Sequence, residues 1–154
     1  MMRRRGWPGY AACTWMVLFA ATHLYWGLGG TAGLPSGFSL FSNTALVIVN
    51  FVAIPLCFAG AALALALVRP WGRRSPRVIL LVAAWGTTTL LVVHAAPAVI
   101  EWVALGLGLR STDLSPAERF SLFLYEPYWL LGGILFGLAA WSYQRGSLNQ
   151  DGAG

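Results

Sequence analysis

Charged residues are scarce in this sequence. Aspartate, glutamate, lysine and arginine together make up 10% of the 154 residues, whereas 58% of the residues are hydrophobic. Ordinary soluble domains carry about 25% charged residues, so the composition excludes a protein whose main solvent is water. Binding to nucleic acid is not expected despite the net charge of +5, because the arginines lie at the ends of apolar runs rather than on a basic surface.

Cysteines and common metal-binding motifs are also few. The two cysteines, Cys13 and Cys57, form no Cys-x-x-Cys pair, and the sequence contains neither His-x-x-x-His nor His-Glu-x-x-His. We therefore predict no disulfide framework and interpret both cysteines as small apolar packing residues. The sequence identifies no catalytic residue and no cofactor, so we do not expect an enzyme, and the identity of any bound metal is left open.

Long apolar runs are what the sequence has in abundance. Four of them cover approximately residues 10–29, 43–68, 78–105 and 120–143. A helix of about 20 apolar residues crosses a hydrocarbon core of roughly 30 Å, and the connections between the runs are too short to hold a second domain. We therefore predict an all-α polytopic membrane protein, a four-transmembrane-helix antiparallel bundle that forms a single transmembrane domain over residues 1–154, with the lipid bilayer as its surroundings.

The arginines are distributed unevenly between the two sides of these predicted spans. Only Arg110 and Arg119 lie on one side, whereas eight lie on the other: Arg3, Arg4, Arg5, Arg69, Arg73, Arg74, Arg77 and Arg145. Because cytoplasmic loops carry an excess of arginine and lysine, this asymmetry predicts a multi-pass protein of the plasma membrane with both termini in the cytoplasm.

A local motif marks the start of a helix before the fourth run. Ser115-Pro116-Ala117-Glu118 matches a capping box with proline at the first helical position. The sequence leaves open whether the helix that begins at Pro116 lies in the outer interface or continues into a kinked fourth span.

Five polar side chains interrupt the apolar runs, and each costs a few kcal/mol to insert into a membrane. Counting about 1.5 Å per helical residue places all five in the outer half of the bilayer. The spacing of His94, Ala98 and Glu101 puts them on one helix face, which we expect to point inward. The predicted polar cluster consists of His23, Asn50, His94, Glu101 and Glu126.

Three functions are compatible with this cluster. In the first, the polar groups hydrogen-bond one another and the carbonyls freed by Pro55 and Pro97, and the protein is a non-catalytic interaction or scaffold protein with a membrane-protein partner or a second copy of itself. In the second, His23 and His94 bind haem or a metal in a redox protein. In the third, the chain is a small oligomeric transporter. We favour the first.

Two strings of residues carry a resemblance to a known family. His23-Leu24-Tyr25-Trp26-Gly27-Leu28-Gly29-Gly30 ends the first run, and Glu126-Pro127-Tyr128-Trp129-Leu130-Leu131-Gly132-Gly133 opens the fourth. The chain resembles a family of small, uncharacterised four-helix bacterial membrane proteins, common in actinobacteria and classified as a domain of unknown function. The resemblance implies a four-span layout in a bacterial plasma membrane, and it implies no reaction, substrate or cofactor.

Overall fold

Four helices account for most of the structure. The computed structural model describes residues 6–151, with side chains as far as residue 146, so the predicted topology signals Arg3, Arg4 and Arg5 lie outside the described residues. The helices are α1 (Trp7–Gly27), α2 (Thr44–Ala66), α3 (Arg77–Gly106) and α4, which has three consecutive parts: Pro116–Phe120, a π-helical turn at Ser121–Tyr125, and Glu126–Asp151. Short 3₁₀ turns at Leu40–Ser42 and Pro70–Arg74 lie in the first two connections. The described part of the chain contains no strand.

Local side chains determine where two of the helices begin. The Asn43 side chain accepts hydrogen bonds from the backbone N–H groups of Ala45 and Leu46 and so caps α2. At α4 the predicted capping box is present, because Ser115 accepts from the Glu118 backbone while the Glu118 carboxylate accepts from the Ser115 backbone. The helix that begins at Pro116 continues without a break through the π-helical turn into the last helix.

Three helical segments are long and apolar enough to cross a membrane. They are Thr44–Ala66, Arg77–Gly106 and the continuous helix Pro116–Gly146, with mean hydropathies of 2.4, 2.0 and 1.4. α1 is not among them, although none of its residues is an aspartate, glutamate, lysine or arginine. Its histidine, proline, tryptophans and tyrosines lower the mean hydropathy of a helix that is otherwise long enough to span.

The helices pack as two hairpins. α1 packs extensively against α2, α3 packs extensively against α4, and contacts between α1 and α4 join the two pairs. Contact between α2 and α3 is much more limited. One buried cluster, which includes Trp15, Phe19 and Phe136, lies between the hairpins. A second cluster joins the end of α2 to the start of α3 and the later part of α4, through Leu67, Leu80 and Ala140 among others.

Glycines of α4 allow two helices to approach it closely. A Cβ atom added to Gly133 would lie 2.7 Å from Val92 Cγ2 and 3.3 Å from the Val92 backbone nitrogen, and one added to Gly137 would lie 3.3 Å from Thr88 Cγ2. The spacing of these two glycines therefore serves the contact with α3. Gly132 faces α1 instead, because a Cβ atom added to it would collide with the indole ring of Trp15.

Candidate functional site

His23 and Asn50 form the most completely buried polar contact of the predicted cluster. The His23 Nδ1 and Asn50 Oδ1 atoms are 2.8 Å apart, and Asn50 Nδ2 donates to the His23 backbone carbonyl at 2.9 Å. Because an amide oxygen only accepts hydrogen bonds, Nδ1 carries the proton in this arrangement. The Nε2 atom of His23 is buried without a hydrogen-bond partner. The pair joins α1 to α2, and Asn50 is only 3% exposed.

The small residues beside this pair explain how the two helices come close enough. A Cβ atom added to Gly27 would lie 3.2 Å from Asn50 Nδ2, and Ala20 is 2% exposed. The amide of Asn50 bonds to the backbone of α1 rather than to the carbonyl of Phe51 that Pro55 leaves free. Pro55 and Pro97 both lie on exposed faces of their helices.

His94 and Glu126 form a second, separate pair that joins α3 to α4. The His94 Nε2 and Glu126 Oε1 atoms are 3.9 Å apart. The Glu126 side chain is 17% exposed and its Oε2 atom is buried without a hydrogen-bond partner, whereas the His94 side chain is 48% exposed. His94, which was predicted to point inward, is thus half exposed while contacting α4, whereas Ala98 on the same predicted face is buried.

Glu101 belongs to a third group, at the end of α3 and in the following connection. Its carboxylate accepts a hydrogen bond from Arg110, whose other terminal nitrogen is 2.9 Å from the Glu118 carboxylate. Arg110 thus bridges α3 to the capping box at the start of α4. The five predicted residues therefore fall into three groups: His23 with Asn50, His94 with Glu126, and Glu101 with Arg110.

Aromatic rings connect the first two pairs. Phe19 contacts the His23 ring at a centroid distance of 4.6 Å and the Trp129 ring at 5.2 Å, and Trp129 contacts the His94 ring at 4.1 Å. The two imidazoles are thereby linked through the rings of Phe19 and Trp129.

Further hydrogen bonds between helices surround this aromatic set. The Trp15 indole donates to the Tyr128 carbonyl at 3.2 Å, and the Tyr128 hydroxyl donates to the Trp15 carbonyl at 3.1 Å, so α1 and α4 are tied in both directions. Within the π-helical turn, the Leu122 carbonyl accepts from the Trp102 indole at 2.9 Å. The Trp102 indole of α3 thus supplies a hydrogen-bond donor to a carbonyl in a turn whose backbone hydrogen bonding is irregular.

A small apolar cavity lies beside the π-helical turn, between α1, the first connection and α4. Its volume is about 200 Å³. The Trp26 indole donates to the Ala32 carbonyl at 3.0 Å and the Tyr125 hydroxyl donates to the Gly33 carbonyl, so the first connection is held against its rim. Its lining includes four aromatic residues, Phe19, Trp26, Tyr125 and Tyr128.

Sequence reasoning did not identify several residues of these groups. Arg110 was predicted only as a charge outside the spans. Trp15, Phe19 and Trp102 were not predicted, because an aromatic residue in an apolar run does not indicate which group it will contact. Cys57 is a buried free thiol and Cys13 a half-buried one. Among the side chains that the structure describes, no three histidine, cysteine, aspartate or glutamate residues are close enough together to hold a metal ion.

Comparison with known proteins identifies the family to which the chain belongs. No curated protein and no solved structure matches the chain. A family model described as a protein of unknown function, DUF3995, matches residues 16–136, a range that extends from α1 into α4 and contains both the His23–Asn50 and the His94–Glu126 pairs. The chain therefore belongs to the DUF3995 family of proteins of unknown function.

Proposed function

We propose that the chain is a four-span protein of the plasma membrane in which α1 is the additional span. α1 has 21 residues, which corresponds to about 30 Å at 1.5 Å per residue and matches the thickness of a hydrocarbon core. It packs along α2, the helix with the highest mean hydropathy, and against α4. A helix without charged residues that is paired with two membrane-spanning helices is best accommodated by crossing with them.

Both termini lie in the cytoplasm in this proposal. The support comes from the arginines, because Arg69, Arg73, Arg74 and Arg77 lie around the connection between α2 and α3, and Arg145 lies near the end of α4. The connection between α3 and α4 contains Arg110, whose charge is offset by Glu101 and Glu118. The positive-inside rule places the more basic end in the cytoplasm.

The function that we propose is that of a non-catalytic interaction protein. The observation that carries it is that hydrogen bonds in the interior join the helices: His23 with Asn50 joins α1 to α2, and the reciprocal bonds of Trp15 and Tyr128 join α1 to α4. Such contacts fix the positions of the helices. They leave apolar side chains of α2 and α3 exposed for lipid or a partner helix, among them Val52, Leu56 and Ile100.

Site-specific photo-crosslinking in native membranes tests this function. A photoreactive residue in place of Val52, Leu56 or Ile100 should give a protein adduct of discrete mass from at least one position. Ala84, which is fully buried in α3, is the matched control and should give none. Lipid adducts alone at all three exposed positions would contradict an interaction function.

A second candidate is supported by the unpartnered atoms of the two pairs. Glu126 Oε2 and His23 Nε2 are buried without hydrogen-bond partners, and the half-exposed His94 side chain lies next to Glu126. These groups would suit a ligand or cofactor. An absorption spectrum and a metal analysis of protein from its native host separate the two functions. A Soret band or bound metal that is lost in His94→Ala would favour the second candidate, whereas a colourless, metal-free protein favours the first.

A further inference from the structure

The two ends of the molecule differ strongly in charge. Among the described side chains, the acidic residues all lie toward one end: Glu101, Asp113, Glu118 and Glu126. At the opposite end, α2 is connected to α3 and Arg77 donates to the backbone carbonyl of Gln144. This end carries five arginines. They are Arg69, Arg73, Arg74, Arg77 and Arg145. This end therefore attracts anions, and no described carboxylate lies near it to compete for them.

The connection between α2 and α3 is folded closely against the end of α2. Gly72, at the centre of the 3₁₀ turn Pro70–Arg74, is buried, and a Cβ atom added to it would overlap the backbone carbonyl of Ala66. The guanidinium carbon of Arg69 lies 5.5 Å from the centre of the Tyr10 ring on α1. The turn thus has a defined shape and places Arg69 and Arg74 at its two ends.

A cavity of about 630 Å³ lies in this connection. Its charged lining residues are Arg69 and Arg74, and its apolar lining residues are Leu65, Pro70 and Trp71. Guanidinium groups bind phosphate oxygens with charge-assisted hydrogen bonds. The Trp71 side chain is 46% exposed, as expected for an indole at the level of the lipid headgroups.

We propose that this cavity is a binding site for the phosphate headgroup of an anionic glycerophospholipid. Arg69 and Arg74 bind the phosphate, while Leu65, Pro70 and Trp71 contact the glycerol and the first part of the acyl chains. The apolar wall distinguishes a lipid from free inorganic phosphate, because free phosphate would gain nothing from it. Basic pockets at the cytoplasmic ends of membrane helices bind anionic headgroups in this way. The site requires that the helices span a membrane, as proposed above. It does not depend on which side of the membrane the termini lie.

The chain offers a matched pair of variants for the test. Arg74→Gln removes a charge that lines the cavity, and Arg73→Gln removes the same charge from the neighbouring residue, which does not line it. Both side chains are exposed, so both variants should fold, and circular dichroism of each variant checks this. Arg69→Gln is the second variant inside the cavity.

Native mass spectrometry of the detergent-solubilised protein, titrated with phosphatidylglycerol, measures the binding. We expect Arg74→Gln and Arg69→Gln each to weaken binding about fivefold, Arg73→Gln to leave it almost unchanged, and 10-fold excess inorganic phosphate to displace no lipid. Equal weakening by Arg73→Gln and Arg74→Gln would overturn the proposal in favour of a diffuse basic surface. Displacement by phosphate, or equally tight binding of phosphatidylcholine, would overturn it as well. None of these outcomes depends on the topology of the chain, so failure here is distinguishable from failure of the four-span proposal.

Discussion

Asn50 is the most deeply buried polar residue among the side chains that the structure describes, with an exposure of 3%. Both ends of its amide are satisfied by His23, one by the imidazole and one by the backbone carbonyl. A buried amide without partners would cost about 1–3 kcal/mol. The histidine and the asparagine therefore have to be considered together, as one connection between α1 and α2.

This connection predicts strong coupling between two substitutions. His23→Ala and Asn50→Ala should each lower the free energy of unfolding by about 1–3 kcal/mol, because each leaves a buried polar partner unsatisfied. The double variant should lose clearly less than the sum of the two losses, since both variants break the same contact. Unfolding of the detergent-solubilised protein by a denaturant measures the three values.

His94→Ala is the control for this cycle. The His94 side chain is 48% exposed and its nearest carboxylate oxygen is 3.9 Å away, so its loss should cost less than that of His23. Strictly additive losses for His23→Ala and Asn50→Ala would show that the two residues do not act as one contact.

At the scale of the helices, α4 is the element that contacts both α1 and α3. Its neighbouring glycines face different partners, Gly132 toward Trp15 of α1 and Gly133 toward Val92 of α3. The π-helical turn at Ser121–Tyr125 immediately precedes Glu126. Because such a turn contains one more residue than a regular α-helical turn, it changes which side chains of α4 face α1 and α3.

The close approach at Gly133 predicts an overpacking effect. Gly133→Ala places a methyl group 2.7 Å from Val92 Cγ2 and should destabilise the protein by about 1–3 kcal/mol. Gly86→Ala in α3 is the matched control, because an added Cβ there meets no atom within 4 Å. This control should be neutral or stabilise by up to about 1 kcal/mol through the higher helix propensity of alanine.

Thermal unfolding of Gly133→Ala, Gly86→Ala and the unaltered protein measures both effects. If Gly133→Ala were as stable as Gly86→Ala, α3 and α4 would not be in the close contact that the structure shows.

The helices themselves were largely predictable, because their signals are local. The apolar runs at 43–68 and 78–105 correspond within two residues to Thr44–Ala66 and Arg77–Gly106. The capping box at Ser115 was readable because its residues are neighbours in sequence. The first and fourth helices begin earlier than their apolar runs, at Trp7 and Pro116, since proline and polar residues are favourable in a first helical turn but lower the hydropathy.

The grouping of the polar residues was less predictable. Counting residues along a helix gives the depth of a side chain in the membrane, but it does not give the neighbour that the side chain faces. His23 and Asn50 have compatible depths and do meet, whereas Glu101 pairs with Arg110, which follows it across a turn in the chain. The hydrogen bond that Trp102 donates to the π-helical turn depends on an irregularity of α4 that no sequence pattern predicts.

At the scale of the whole molecule, the membrane topology depends most on α1. Three helical segments are long and apolar enough to cross a membrane, whereas α1 is placed by its packing against α2 and α4. If α1 crosses, both ends of the chain lie on one side, together with the arginine-rich connection between α2 and α3. If it does not cross, the N-terminus lies on the opposite side from the C-terminus.

The most direct test of the four-span arrangement is the labelling of single cysteines with a membrane-impermeant maleimide, in a protein whose Cys13 and Cys57 are replaced by alanine. The cysteines are introduced as Ser36→Cys, Ser75→Cys and Ser111→Cys, one in each connection between the helices, and an N-terminal epitope tag reports the remaining position. In intact cells we expect labelling of Ser36→Cys and Ser111→Cys, whereas Ser75→Cys and the tag become accessible only after permeabilisation. Accessibility of both the tag and Ser36→Cys in intact cells would show that α1 does not cross the membrane and would contradict the account.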